Sequence, residues 1–160
     1  MIIRPLALTD LDGLIQMTIE TFRPFYEDYV HPLYGDIVFE HQHPDWEQDY
    51  RDEMPALHEP TAGRHIAVAQ VGHVVAGYVS WRTDHKPNHG EIYLLAVRPP
   101  ARHQQVGRRL CLHAIEHMKA SGVEVVEVNT GQDAFHDAAR ALYEGLGFLK
   151  VPRASYLKAL

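Results

Sequence analysis

Apolar residues along this chain recur with two spacings, and the spacings divide it into strands and helices. Ile2-Ile3-Arg4-Pro5-Leu6 reads as a first strand. Leu11, Leu14, Ile15, Thr18 and Ile19 follow at helical spacing. Thr9 or Asp10 is placed to cap that helix, with acids in its first turn. Pro24 should end or break it, because proline donates no backbone hydrogen bond and crowds the preceding turn. β-Branched runs at 65–70 and 74–81 flank Gly72 and predict a hairpin. The polar, proline-containing stretch Asp84 to Gly90 leads to a strand over Glu91 to Val97, which a short connection makes antiparallel to 74–81. Val106, Leu110, Ala114, Ile115 and Met118 form the apolar stripe of a helix over Gln104 to Ala120, stopped by Ser121-Gly122. Val123 to Asn129 is a further strand, so residues 91–128 make a strand–helix–strand unit with a parallel pair and a right-handed crossover. Asp133 to Leu146 is a last helix stopped by Gly147, and Phe148–Val151 and Ala154–Leu160 read as two closing strands.

Residues 22–60 break this regularity. Phe22, Phe25, Tyr26, Tyr29, Tyr34, Phe39, Trp46 and Tyr50 are mixed with acids and histidines, and Pro32, Gly35 and Pro44 cut the segment into short pieces. Asp45 to Leu57 is helical in pattern. Aromatic faces and carboxylates together suit an amine through cation–π and charge contacts. The competing reading is a cover for one side of the sheet, since aromatics dominate cores. Tyr26, Asp45, Trp46 and, on the strand, Tyr93 are the candidate acceptor contacts.

Length and composition fit a single domain over residues 1–160, with no repeat, linker or low-complexity stretch. The net charge of −6 and the absence of a broad basic face argue against nucleic-acid binding. No apolar run approaches the roughly 20 residues that cross a bilayer. The single cysteine, Cys111, permits no internal disulfide and suits a reducing compartment. Met1 leads directly into a strand with no charged leader, so the expectation is a cytoplasmic protein. Of twelve histidines, His41 and His43 with Asp45 are the one close set, in a polar segment without cysteine, and no metal site is expected.

The chemistry concentrates in residues 91–110. A strand ends at Pro99-Pro100, a short basic turn follows, and a helix opens near Gln104. Unpaired N–H groups and the positive dipole end of a helix hold phosphate well. Gly107 lets backbone approach a ligand, and Arg102, Arg108 and Arg109 supply fixed positive charge. No Gly-Lys-Ser/Thr follows, so the turn is not a P-loop, and it carries only one of three glycines of a dinucleotide fingerprint.

These segments resemble the GNAT superfamily of N-acetyltransferases. Leu95-Ala96-Val97-Arg98-Pro99 is similar to the family's strand end. Arg102-x-x-Gln105-x-Gly107 resembles its acyl-coenzyme A pyrophosphate motif, and Ala139 through Tyr143 to Gly147-Phe148 resembles its final helix. The likeness spans residues 2–160. It implies an α/β (α+β) fold with a mixed, mostly antiparallel sheet of six to seven strands flanked by about four helices. It also implies transfer of an acetyl group from acetyl-CoA to a primary amine of a small molecule by direct attack. Under the resemblance, Tyr143 protonates the leaving sulfur and Glu91 is the base. Glu91, Tyr93 and Leu95 would share one strand face. A histidine of the 31–65 region acting through water is the alternative base. Leu95, Ala96 and Val97 would hold the acetyl and pantetheine portion, and Arg102, His103, Gln104, Gln105, Val106, Gly107, Arg108 and Arg109 would wrap the pyrophosphate. His136, where the family often has Asn, and Ala139 would touch the cofactor arm. Gln105 stands where the family usually has Gly, and a helical backbone there would tolerate it. Protein or peptide acetylation and a non-catalytic acyl-CoA-binding module are the alternatives, and many relatives are homodimers.

Overall fold

The computed structural model describes residues 1–83 and 86–160. Of the stretch expected to link the hairpin to the next strand, Asp84 and His85 lie outside the described residues. Among the described residues the sheet has five strands in the order β1-β2-β3-β4-β5, fewer than the six to seven expected. They are β1 Ile2–Pro5, β2 Arg64–Val71, β3 Val74–Arg82, β4 His89–Val97 and β5 Val125–Val128. The first four are antiparallel neighbours, and β4 pairs parallel to β5. The hairpin turns at Gly72, whose φ of 60° is a conformation glycine adopts freely.

Alternation along β2 and β3 supplies two cores. Ala67, Ala69, Val79 and Trp81 face α4 (Val106–Ala120), whose Val106, Leu110, Cys111, Ala114 and Met118 are buried against them. Ile66, Val68 and Tyr78 face the other way, onto Leu14 and Met17 of α1 (Leu11–Pro24) and onto Met54. Each such side chain removed from water contributes about 1.5–3 kcal/mol. The second core also holds polar groups. The Thr18 hydroxyl lies 2.8 Å from the Tyr78 hydroxyl and donates to the Leu14 carbonyl at 2.7 Å, so neither hydroxyl is stranded.

Pro24 does not break the first helix. It is the last residue of α1, and helical backbone continues through a wider π turn over Phe25–Val30 into α2 (His31–Gln42). A wider turn relaxes the crowding that a proline ring imposes on an α ladder. Gly35 is the real interruption, at φ 69° and ψ 166°. α3 (Trp46–Glu53) and a tighter turn over Met54–Leu57 complete the insert as expected, with Asp45 accepting from the Gln48 N–H to cap α3.

The chain ends with α5 (Asp137–Gly145), and Gly147 at φ 88° closes it. The two closing strands expected at Phe148–Val151 and Ala154–Leu160 do not form. Residues 149–160 have no regular structure, and Leu149 is 88% and Tyr156 93% exposed. Pro152 falls between the two stretches, and β5, the last strand in the sheet order, pairs with neither of them. Among the described residues no helix is long and apolar enough to cross a membrane.

Candidate functional site: a gap between two diverging strands

The site begins where β4 and β5 part. Their parallel pairing joins His89–Ile92 to Val125–Val128. Beyond it β4 remains paired only with β3, as far as Val97 opposite Gly77. A register shift places Trp81 opposite Ile92 and Ser80 opposite Leu94, so Tyr93 is the extra residue of a bulge. The Leu94 N–H donates to Ser80 Oγ at 3.0 Å and therefore points toward β3. Strand amides alternate in direction, so those of Leu95 and Val97 point into the gap. Thr130, on the opposite limb just after β5, has a buried hydroxyl with no hydrogen-bond partner among the described residues.

The bulge also corrects the expected alternation. Leu95 packs with Val97 in the α4-side core, whereas Leu94 and Ala96 pack in the α1-side core. Glu91 and Tyr93 instead gather around Arg82, away from Leu95. One extra residue moves a side chain to the other face of a sheet.

The loop after β4 makes a one-sided nest of amides. Pro99–Ala101 forms a tight turn, and α4 starts at Val106, two residues later than the sequence pattern placed it. Gln105 is not helical: it precedes the helix at φ 62°, and His103 lies at φ 60°. A side chain in this left-handed region costs about 1–3 kcal/mol, the reason glycine is favoured there. The first bond of α4 runs from the Arg109 N–H to the Gln105 carbonyl at 3.0 Å. The amides of Val106, Gly107 and Arg108 precede that bond and have no carbonyl within the helix to meet. Alternating hand in successive residues turns amides to one side, a shape that holds anions. Arg102 donates to the Val97 carbonyl at 3.2 Å, tying the loop to the strand end. Arg108 donates to the Gly145 carbonyl at 3.2 Å and ties it to α5, while the Arg109 side chain is exposed. Gln104 donates to the Pro100 carbonyl at 2.8 Å. A Cβ on Gly107 would sit 3.5 Å from Leu142, 3.7 Å from Val97 and 3.8 Å from Leu95, so this glycine lies at the junction of β4, α4 and α5.

One face of α5 packs into the core that Leu95 and Val97 also join. His136, Ala139 and Tyr143 recur at helical spacing, with Ala139 and Tyr143 packed into the α4-side core. Tyr143 is 8% exposed, and burial raises its hydroxyl well above the ordinary phenol range. It therefore keeps its proton at neutral pH. Phe148 meets its ring edge-on at 5.9 Å. Burial pushes the neighbouring Cys111 thiol up to about 12, which leaves it an inert core residue.

At the start of this helix His136 faces a carboxylate. Its Nδ1 lies 2.9 Å from both oxygens of Asp133. Burial pulls the Asp133 carboxyl upward, but the ring and backbone N–H groups beside it outweigh that, and the net shift is downward. Arg140 donates to the carbonyls of Gly131 and Asp133 at 2.6 and 2.8 Å and also pairs with Asp137, which fixes the turn.

The remaining expected residues separate into two groups. Glu91 is held by Arg82, with both Nε and Nη2 at 2.7 Å from one oxygen, and its other oxygen accepts from Asn129 at 3.3 Å. Tyr93 lies under the Arg82 guanidinium, 4.7 Å from ring centre, and its hydroxyl donates to Glu53. Burial first, then this contact, raises the Tyr93 hydroxyl above its usual range. A cleft of about 160 Å³ opens beside Glu53, Arg82 and Tyr93. Tyr26 and Trp46 stack on each other at 4.4 Å, while Asp45 is occupied as a helix cap. Among the described residues no three metal-ligating side chains converge; His43 packs its ring against Tyr26 and Tyr34. Sequence reasoning missed Arg82, Asn129, Glu53, Asp133 and Phe135. Only Asp133 carried a signal, as an acid three residues before His136 at a helix start.

The overall fold is shared with solved acetyltransferases. The acetyltransferase (GNAT) family model matches residues 22–148, and the chain belongs to that family. The PaiA N-acetyltransferase of Thermoplasma acidophilum, solved with coenzyme A, superposes with a TM-score of 0.67 at 20% identity, over 96% of this chain and 92% of that one. An aminoglycoside acetyltransferase from an uncultured soil metagenomic sample, solved with sisomicin, gives a TM-score of 0.66 at 19% identity over 99% and 95%. In sequence, a mycothiol acetyltransferase of Gordonia bronchialis is 37% identical over 68 residues, which is 42% of this chain and 21% of that protein's length. The chain thus matches about a fifth of that relative.

Proposed function

We propose that this chain transfers an acetyl group from acetyl-CoA to a primary amine of a small molecule, by direct attack of the amine. The carrying observation is the lining of the gap: inward amides of Leu95 and Val97, then the amides of Val106, Gly107 and Arg108 that precede the first bond of α4. This lining fits a long ligand with amide groups at one end and a pyrophosphate at the other.

Acetyl-CoA supplies an activated acyl group as a thioester. Leu95 and Val97 would hold its arm by backbone hydrogen bonds, and the Val97 N–H is placed to polarise an acyl carbonyl. His103, Gln104 and Gln105 shape the turn, and Arg102 and Arg109 add positive charge beside it. Tyr143 Oη, held protonated by burial, is the group to donate a proton to a leaving sulfur. Glu91 is already neutralised by Arg82, and an ion-paired carboxylate is a poor proton acceptor; we assign it to holding the bulged end of β4. The small-molecule acceptor is supported by the insert of residues 22–60, whose aromatic side chains pack over the sheet and against the start of α5.

Calorimetric titration with acetyl-CoA at moderate salt tests the reading, followed by an amine panel scored by thiol release. Micromolar binding with turnover of a small amine is the expected result. Binding without turnover on any amine would favour an acyl-CoA-binding module, and turnover of peptide amines alone would favour protein acetylation.

A further inference from the structure

With Glu91 bound to Arg82, the gap needs another group to take the proton of an incoming amine. We infer that His136 is that base and that Asp133 is its positioning residue, an inference that rests on the acetyl-transfer reading above. The two form a pair with a defined geometry. Imidazole Nδ1 contacts the Asp133 carboxylate at 2.9 Å, so the carboxylate favours the tautomer protonated at Nδ1 and leaves the Nε2 lone pair to accept a proton. Side-chain exposures of 15% and 24% place the pair in a partly dry environment that is still open to a ligand.

The surroundings are built to hold it. A Cβ at Gly131 would come within 2.2 Å of Asp133 Oδ2 and 2.6 Å of His136 Nδ1, so only glycine leaves room for the pair against that backbone. Arg140 clamps the carbonyls on either side of the turn. Phe25 of the insert and Phe135 meet the imidazole edge-on at 4.8 and 4.9 Å. The charged groups around it are Asp133, and Arg140 with its partner Asp137; from the π turn come the rings of Phe25 and, against Phe135, Tyr29. His136 therefore stands where Phe25 of the insert meets the segment after β5, seven residues before Tyr143 and so at a spacing that shares a helix face with it. Two helical turns separate base from acid, and helix side chains lean toward the N-terminus, so the Tyr143 hydroxyl projects in the direction of His136.

The step assigned is a proton transfer. An N–H bond of the acceptor ammonium breaks, its electron pair stays on nitrogen as the nucleophile, and the proton goes to His136 Nε2. The resulting imidazolium is offset by the Asp133 carboxylate, and the proton later leaves to solvent.

The test combines nitrogen NMR of the imidazole, assigned through the backbone, with kinetics of His136→Asn and Asp133→Asn. Asn keeps hydrogen-bonding capacity but cannot serve as a base. In the wild type the singly protonated ring is expected to carry its proton at Nδ1, with a mixture of tautomers in Asp133→Asn. His136→Asn should lower kcat by about 100-fold or more, abolish the acidic limb of the pH–rate profile, and leave acetyl-CoA affinity within about threefold. A ring protonated at Nε2, or a His136→Asn enzyme that keeps its rate and its acidic limb, overturns the assignment while acetyl transfer stands. A wild type that acetylates no amine yet has the Nδ1 tautomer overturns the acetyl-transfer reading, and the base assignment with it.

Discussion

The two limbs of the gap are built from different materials. The limb from β4 into α4 works through backbone: inward amides at Leu95 and Val97, left-handed residues at 103 and 105, and a helix start. The limb formed by the insert and the start of α5 works through side chains, in a web of Phe22, Phe25, Tyr29, Phe135 and His136. Backbone geometry suits a constant ligand, because any sequence that makes the turn presents the same amides. Side-chain walls suit a particular acceptor, because each substitution reshapes them.

The contrast can be broken most severely on the backbone limb. Gly107→Glu should remove acetyl-CoA binding beyond calorimetric detection, roughly a thousandfold, because it forces a carboxylate among Leu142, Val97 and Leu95. Retained affinity in a folded variant would refute the nest. Tyr143→Phe tests α5, where both limbs meet: turnover should fall about 10- to 1000-fold with acetyl-CoA affinity nearly unchanged, read by single-turnover kinetics beside calorimetry. Phe25→Ala acts on the side-chain limb alone. It should raise the acceptor KM about tenfold and leave the acetyl-CoA KM in place, since it removes ring contacts with Phe135 and His136. A shift in both constants would mean the limbs are not separable.

Gln105→Gly should move the other way. Relief of the left-handed strain predicts a gain of about 1 kcal/mol, or about 2–4 °C in Tm, with acetyl-CoA affinity equal or higher. A lower Tm would show that the Gln105 side chain compensates its backbone.

The smallest effect concerns pH and lies away from the gap. Burial holds the imidazoles of His65 and His113 below their ordinary value, helped in each by nearby His117. His65 stacks on Trp81 at 5.2 Å and His117 meets the same ring at 5.1 Å. The folded state thus binds fewer protons than the unfolded one. Stability is complete above the unfolded histidine pKa of about 6.5 and falls as pH drops through the lower folded values. Melting curves between pH 8 and 5 should decline on the acidic side, and less steeply in His65→Phe.

Legibility followed the same division. The hairpin about Gly72, the strand–helix–strand order from β4 to β5, the basic turn before α4 and the Tyr143 helix were readable because each depends mostly on residues close in sequence. Tyr26, Trp46 and Tyr93 were recognised as chemically capable, but their partners were not: Tyr93 meets Glu53, and Tyr26 and Trp46 meet each other. The Glu91–Arg82 pair had no local signature, since it forms only when β3 lies beside β4.

The sequence by itself therefore determined most of the strands and helices up to residue 146, and it marked a basic turn before α4, because spacing, proline and glycine act through steric contacts between near neighbours. Tertiary structure alone decided the bulge at Tyr93, the left-handed Gln105, the failure of the closing strands and the meeting of Phe25 with His136. Those outcomes depend on which edges and faces are available once distant segments pack, and that competition is settled only when the whole chain has folded.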